Sequence, residues 1–393
     1  MSVTLRILYT GGFELPDKNA AAHRVVSNGK IFRELGHQVY FIGISKDRDI
    51  KTHEIKETKS DFEGFEYYSY PYPQNNTEWI KYICTIPYIS MIEEICPDII
   101  IAYNYPAIAL AKLRYYCKRK GIKILGDVTE WYQPEGNLLF KFIKSVDTNL
   151  RMRVIHKKMD GLILISKYLY QYYGYYMDNI IEVPPLVDLS QEKWRDDLDN
   201  NDIKSINLVF AGTQGQYKDR VETLVNIICR INKKKEKQII LTIVGLDKES
   251  FIKNYSPDDN MKEMLDQFVI FKGRLSHAES ISEIKRNDFH IFIRDNNLTN
   301  KAGFPTKFVE SIACGTPVIT NLSGNIGDYL KDGENGIIID VESKDLLISS
   351  VSGALSVTGE QIRYMKTQCR ESDVFDFHKY ILPFKSFLSD LKE

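Results

Sequence analysis

Apolar runs of strand length alternate along the chain with longer stretches whose apolar positions recur every three or four residues. That alternation predicts strand, helix, strand in a parallel α/β sheet. Residues 5–9 predict a first strand, Thr10, Gly11 and Gly12 a break, 20–35 a helix stopped by Gly36, and 38–43 a second strand. The polar, tyrosine-rich stretch 45–76, punctuated by Pro71 and Pro73, predicts β-arms and loops. Strands are expected over 98–103, 122–127 and 159–166, helices over 107–120 and 167–176, and an extended exit over 180–188. The run 190–205, rich in Asp and Asn, reads as a linker. A second α/β unit then opens with a strand over 206–211, a glycine loop over 212–215 and a helix over 220–232. Further strands are expected over 239–245, 269–275 and 289–294, with a helix capped at Ser276 between the last two.

One stretch, 302–321, concentrates the candidate chemistry. Gly303 permits close backbone approach to a ligand, and Pro305 suits the first turn of a helix because its missing N–H would have no partner there. Phe308, Val309, Ile312 and Ala313 follow helical spacing, Gly315 stops the helix, and 318–320 reads as a short buried strand. The unpaired amides that open this helix, those of Gly303, Phe304 and Thr306 around Pro305, make a seat for a diphosphate. Glu310, within the first two turns, presents a carboxylate for the vicinal hydroxyls of a ribose; a solvated carboxylate on an ordinary helix fits the same residues. Lys218, just before the 220–232 helix, is a candidate ammonium for a bound diphosphate, with a plain surface lysine as the alternative. Ligands of parallel sheets collect at strand carboxyl ends. Asp127, Glu130 and Trp131 there are candidate acceptor-site groups, with a helix-capping Asp127 and a surface Glu130 as the plain alternative.

Length and charge narrow the class. A chain of 393 residues with 43% hydrophobic and 27% charged residues suits two globular cores. With 52 basic against 53 acidic residues, no nucleic-acid partner is expected. No apolar run approaches the roughly 18 residues of a membrane span, and the start lacks the pattern of a signal peptide. Six scattered cysteines without paired histidines argue against zinc and for buried free thiols in a reducing cytosol. From 112 to 158 basic residues far outnumber acids, with Tyr115, Tyr116, Phe140 and Phe142 interleaved. Such a face is either a solvated helix surface or a rest for anionic lipid at the inner side of a membrane. After the first strand the glycines do not form Gly-x-Gly-x-x-Gly, so the spacing does not support a dinucleotide site.

Together with 323–339, the 302–321 segment resembles the nucleotide-sugar site of retaining GT-B glycosyltransferases, family 4, and its Phe-Pro-Thr-Lys-Phe form is similar to bacterial enzymes of surface-polysaccharide assembly. The resemblance spans nearly the whole chain. It implies an α/β protein of two Rossmann-like domains facing across a cleft. These are an acceptor domain over 1–189, the 190–205 linker, a nucleotide-sugar domain over 206–374, and a terminal helix over 375–393 crossing back to the first domain. It also implies a nucleotide-diphosphate sugar as donor, a glycan or lipid-linked acceptor, no cofactor or metal, and same-face attack with retention. By the resemblance Gly11 and Gly12 lie at the cleft, Gly212 and Thr213 near the donor, and Gly273, Arg274 and Leu275 hold the base. The catalytic candidates are Lys218, Arg294 and Glu310.

The chain departs from the family pattern at three places: Ala302 stands at the first Glu of the usual pair, Thr129 at a histidine, and Thr213 with Gln214 at an arginine. Arg220 or Arg294 is the expected substitute for that arginine. Two rival readings follow. A sugar-nucleotide-binding protein without turnover fits those departures, whereas a nucleotide-sugar epimerase on the same fold would need acidic and histidine groups around the donor ring.

Overall fold

The computed structural model describes residues 4–47, 55–133, 136–195, 205–212, 219–233 and 238–391. The chain divides into two compact units, the first Met1–Leu186 with Ala302–Phe304 and Asp376–Glu393, the second Val187–Lys301 with Pro305–Phe375. Of the expected linker, 196–204 lie outside the described residues.

The first unit is built on β1 (Arg6–Gly11), β2 (Gln38–Ser45), β3 (Ser60–Phe62), β4 (Phe65–Pro71), β5 (Ile99–Tyr103), β6 (Lys123–Val128), β7 (Gly161–Leu164) and β8 (Ile180–Glu182). They form one sheet in the order β3-β4-β2-β1-β5-β6-β7-β8. All neighbours are parallel except the β3–β4 hairpin. The central strands β5 (Ile-Ile-Ile-Ala-Tyr) and β7 (Gly-Leu-Ile-Leu) are buried along their whole length, on both faces, as a parallel sheet covered by helices requires. Helix Ala20–Glu34 starts where the Asn19 side chain accepts the Ala22 amide, and helix Ile381–Asp390 packs on it, Phe384 meeting Phe32 edge-on at 5.1 Å. At the end of β1, Gly11 has φ +150°, and a Cβ there would stand 2.2 Å from the Tyr103 carbonyl. Only glycine lets β1 and β5 run this close at their carboxyl ends.

The second unit holds β9 (Ile206–Ala211), β10 (Ile239–Val244), β11 (Val269–Gly273), β12 (Phe289–Phe292), β13 (Val318–Thr320) and β14 (Gly336–Ile338). Its sheet runs β11-β10-β9-β12-β13-β14, all parallel. Renumbered within the unit this is 3-2-1-4-5-6, the dinucleotide-fold order whose reversal point lies between its first and fourth strands, here β9 and β12. The predicted helix at 305 is Thr306–Ala313, with Pro305 in the capping position.

Three expectations need correction. The 45–76 stretch is more than arms and loops, because β4 within it is a full member of the parallel sheet. Cys96 is exposed and Cys84 half-buried, while the other four cysteines are buried free thiols. Arg151, inside the basic 112–158 stretch, is buried and donates to the carbonyls of Asn104 and Tyr105.

Candidate functional site

The reversal point of the second sheet is where the second unit gathers charge. After β9 the chain reaches Gly212; Thr213 and Lys218 of the expected donor loop lie outside the described residues. The chain re-enters at Asp219, whose backbone bridges that of Arg294, and the Arg220 amide donates to the Ile293 carbonyl at 3.1 Å. Asp219 is thereby laid beside the end of β12. From helix Thr306–Ala313, Lys307 reaches it with Nζ 2.7 Å from Oδ2. The Lys307 ammonium also lies 4.3 Å over the Phe210 ring and 5.5 Å from that of Phe292. Burial pushes this ammonium below its ordinary pKa, and the Asp219 carboxylate pulls it back.

Arg294 is buried and oriented at two points. Its backbone amide donates to Asn321 Oδ1 at 2.9 Å, Asn321 returns a bond to the Arg294 carbonyl, and Nη2 donates to Asn300 at 2.5 Å. Burial lowers its pKa too, with Asp219 opposing. His290 on β12 is fully buried; its Nε2 accepts the Ala211 amide at 3.2 Å, and burial, then Lys307, lowers its pKa to about 3. It is a neutral imidazole that fixes the end of β9. Three buried polar atoms here have no hydrogen-bond partner among the described residues: Arg294 Nη1, Asp219 Oδ1 and His290 Nδ1. Buried polar groups are ordinarily paired, so a cluster of orphans marks a place for a ligand or water.

Glu310 lies three residues beyond Lys307, on the same face of the helix. Its Oε1 is 3.1 Å from His277 Nε2. His277 begins the helix that follows β11, so Glu310 is tied to the segment Gly273, Arg274 and Leu275. Gly273 takes φ +63° there, Arg274 is exposed and Leu275 half-buried. Arg220 is engaged with Asp295 at 2.5 Å.

The remaining predicted residues belong to the first unit: Gly11, Gly12, Asp127, Glu130, Trp131, Gly303 and Phe304. Asp127 corrects the expectation of an acceptor group at a strand end. It is fully buried, receives Arg24 Nε at 2.9 Å and the Tyr9 hydroxyl, and caps no helix. The Asp127 carboxylate overcomes the burial that would otherwise lower the Arg24 pKa and holds it above its ordinary value. Trp131 is buried as well, under the Arg153 guanidinium at 5.3 Å and edge-on to Tyr172 at 5.1 Å, so its ring is packed and not a bare platform. Glu130 is half-buried and Gly12 exposed.

Lys307 was missed in the sequence. The available signal was its position: a cation in the first turn of a helix opposes the helix dipole, so something must hold it. Here Asp219 does.

Residues 204–370 match the profile of the family described as Glycosyl transferases group 1. Comparison with curated proteins finds no match. Among solved structures, sucrose-phosphate synthase from Thermosynechococcus elongatus superposes with TM-score 0.73 at 14% identity over 98% of this chain and 99% of that one. Anabaena HepE in complex with UDP and glucose gives 0.65 at 13%, covering 98% and 99%. A point mutant of Staphylococcus aureus TarM, in complex with fondaparinux, α-GlcNAc-glycerol and UDP, gives 0.68 at 10%, covering 99% and 100%. The chain has the GT-B fold of these structures, and the family match over the second unit supports a glycosyltransferase.

Proposed function

We propose that this chain is a retaining glycosyltransferase of family 4 that moves a sugar from a nucleotide-diphosphate sugar to a glycan or lipid-linked acceptor, in bacterial surface-polysaccharide synthesis. The observation that carries the donor class is the charge at the β9–β12 reversal point. Two cations, Arg294 buried and Lys307 with its side chain 14% exposed, share the one carboxylate of Asp219, and an Arg294 N–H is left unpaired among the described residues. Buried charge without full pairing is costly, and a diphosphate supplies the missing anion. As the glycosidic bond breaks, charge grows on the departing diphosphate, so cations already fixed there stabilise the transition state more than the ground state. In this reading the neutralising charge comes from side chains.

The remaining donor assignments follow. The amides at Gly303, Phe304 and Thr306 with Pro305, the loop at Gly212, Thr213 and Lys218, and Gly11 with Gly12 serve the phosphates and sugar. Gly273, Arg274 and Leu275 serve the base, and Glu310 the ribose. HepE and TarM were solved with UDP, and a nucleotide of that class is proposed here.

Contact with anionic membrane is part of the proposal. No described helix is long and apolar enough to cross a membrane. Helix Leu138–Leu150 instead leaves Leu138, Phe142 and Val146 exposed beside Lys141.

Thermal shift with UDP, GDP and ADP sugars, followed by NMR of the sugar released or transferred, tests the reading. One sugar nucleotide should stabilise the protein and yield product with its anomeric configuration kept. Binding without any sugar release would make the chain a binding protein, and an inverted anomer would remove it from the retaining class.

A further inference from the structure

Glu310 does not stand alone at its site. Its hydrogen-bond partner among the described residues is His277, Nε2 to Oε1 at 3.1 Å, with the two side chains 17% and 20% exposed. An ionised carboxylate only accepts, so the imidazole carries its hydrogen on Nε2 and donates. The donor is rigidly mounted. His277 begins a helix closed by a capping box, in which Ser276 Oγ accepts the Glu279 amide and Glu279 Oε2 accepts the Ser276 amide at 2.9 Å. The His277 ring also packs edge-on to Trp194 at 6.2 Å.

Glu310 has a second neighbour that competes for it. Lys307 lies three residues earlier on the same helix face, and the two side chains feel each other's charge. A carboxylate free to swing would drift toward that ammonium, weakening both the Lys307–Asp219 pair and any contact Glu310 makes with a sugar. The His277 bond, directed from a neighbouring helix, holds it away.

We propose that His277 is a positioning residue that fixes the Glu310 carboxylate for the 2′ and 3′ hydroxyls of the donor ribose, and so sets the preference for ribose over deoxyribose. The inference rests on the nucleotide-sugar reading above. With Oε1 held, Oε2 and the remaining lone pair of Oε1 are aligned to accept from a vicinal diol. Such bonds to a charged acceptor are strong enough to discriminate a missing hydroxyl by about tenfold or more.

The test is calorimetric titration of UDP, GDP and ADP and their 2′-deoxy counterparts into the full chain. Wild type is compared with His277→Phe, which keeps a ring against Trp194 and removes the donor, and with His277→Gln, which keeps an N–H. The wild type should prefer the ribose form about tenfold. That ratio should collapse to about threefold or less in His277→Phe and persist in His277→Gln. An unchanged ratio in a folded His277→Phe, or an equal collapse in both variants, overturns the role of His277. A wild type that binds a diphosphate without preferring ribose overturns it too, leaving the donor site in place. Failure to bind any diphosphate removes the donor reading itself, and this inference with it.

Discussion

Both units gather buried charge at the carboxyl ends of parallel strands, and the two clusters are finished differently. In the first, Arg24 puts Nε 2.9 Å and Nη2 2.8 Å from Asp127 and Nη1 2.8 Å from the Val183 carbonyl, so one cation lies against one carboxylate, although Nη2 and the adjoining Asn28 Oδ1 make no hydrogen bond among the described residues. In the second, Lys307 and Arg294 surround Asp219, and Arg294 Nη1 and Asp219 Oδ1 find no partner among the described residues. The first cluster ties β6 to helix Ala20–Glu34 and to the exit of β8, which is a structural task. The second carries two cations against one carboxylate among the described residues. Position at a strand end and unpaired polar atoms are shared by both; what differs is the balance of charge, one cation to one carboxylate in the first and two cations to one carboxylate in the second.

The comparison breaks most sharply at Asp127. Asp127→Ala leaves the Arg24 guanidinium buried without its carboxylate, and removing one partner of a buried pair costs about 3–5 kcal/mol. Urea denaturation should show a loss of that size. A loss below about 1 kcal/mol would mean that the pair is not the brace described here.

Lys307 gives the next effect. If it faces a leaving diphosphate, Lys307→Ala should lower kcat about 100- to 1,000-fold while nucleotide affinity changes far less. Asp219→Asn, which keeps the ammonium and weakens only its anchor, should cost less. Turnover of Lys307→Ala within threefold of wild type would remove Lys307 from the chemistry and return the weight to Arg294.

These two residues also show where sequence reading ends. Strands such as Ile206–Ala211 and Val318–Thr320 were legible to the residue because short, mainly apolar runs bounded by glycine, proline or polar residues have one good solution in a parallel sheet. Helix Ala107–Lys120 was equally plain, its end written by Gly121. Asp127 was legible as a strand-end carboxylate, but its partner Arg24 lies 103 residues earlier in the chain, and no local pattern announces that meeting. Strand β4 hid in a tyrosine-rich stretch because its polar alternation looks like an arm and its pairing with β2 is non-local. Glu310 was legible from its place on the helix, whereas His277, 33 residues earlier, was not.

The smallest expected effect concerns the surfaces, where the units also differ. Exposed apolar side chains on the second unit are scattered, as at Ile270, Leu322 and Leu346. On the first, Leu138, Phe142, Val146, Leu150 and Val154 are all exposed, 86% at Leu138 and 67% at Phe142, and they recur every fourth residue. That spacing draws one ridge along helix Leu138–Leu150 and the π-helical turn Arg151–Ile155 after it. Lys141 and Arg153 are exposed on the same stretch, and Lys144 lies 5.9 Å over the Trp79 ring. A ridge of this kind enters the headgroup boundary while the bases meet anionic lipid, each contributing about 1 kcal/mol. Arg151 is excluded from that sum because it is buried. Charge reversal at Lys141 and Arg153 should therefore weaken sedimentation with phosphatidylserine vesicles by about tenfold or more, and the wild-type binding should fall with added salt. Phe142→Ser should weaken it at every salt concentration, because its contribution is apolar. Vesicle binding untouched by both changes would show that the ridge of the first unit does not meet a membrane.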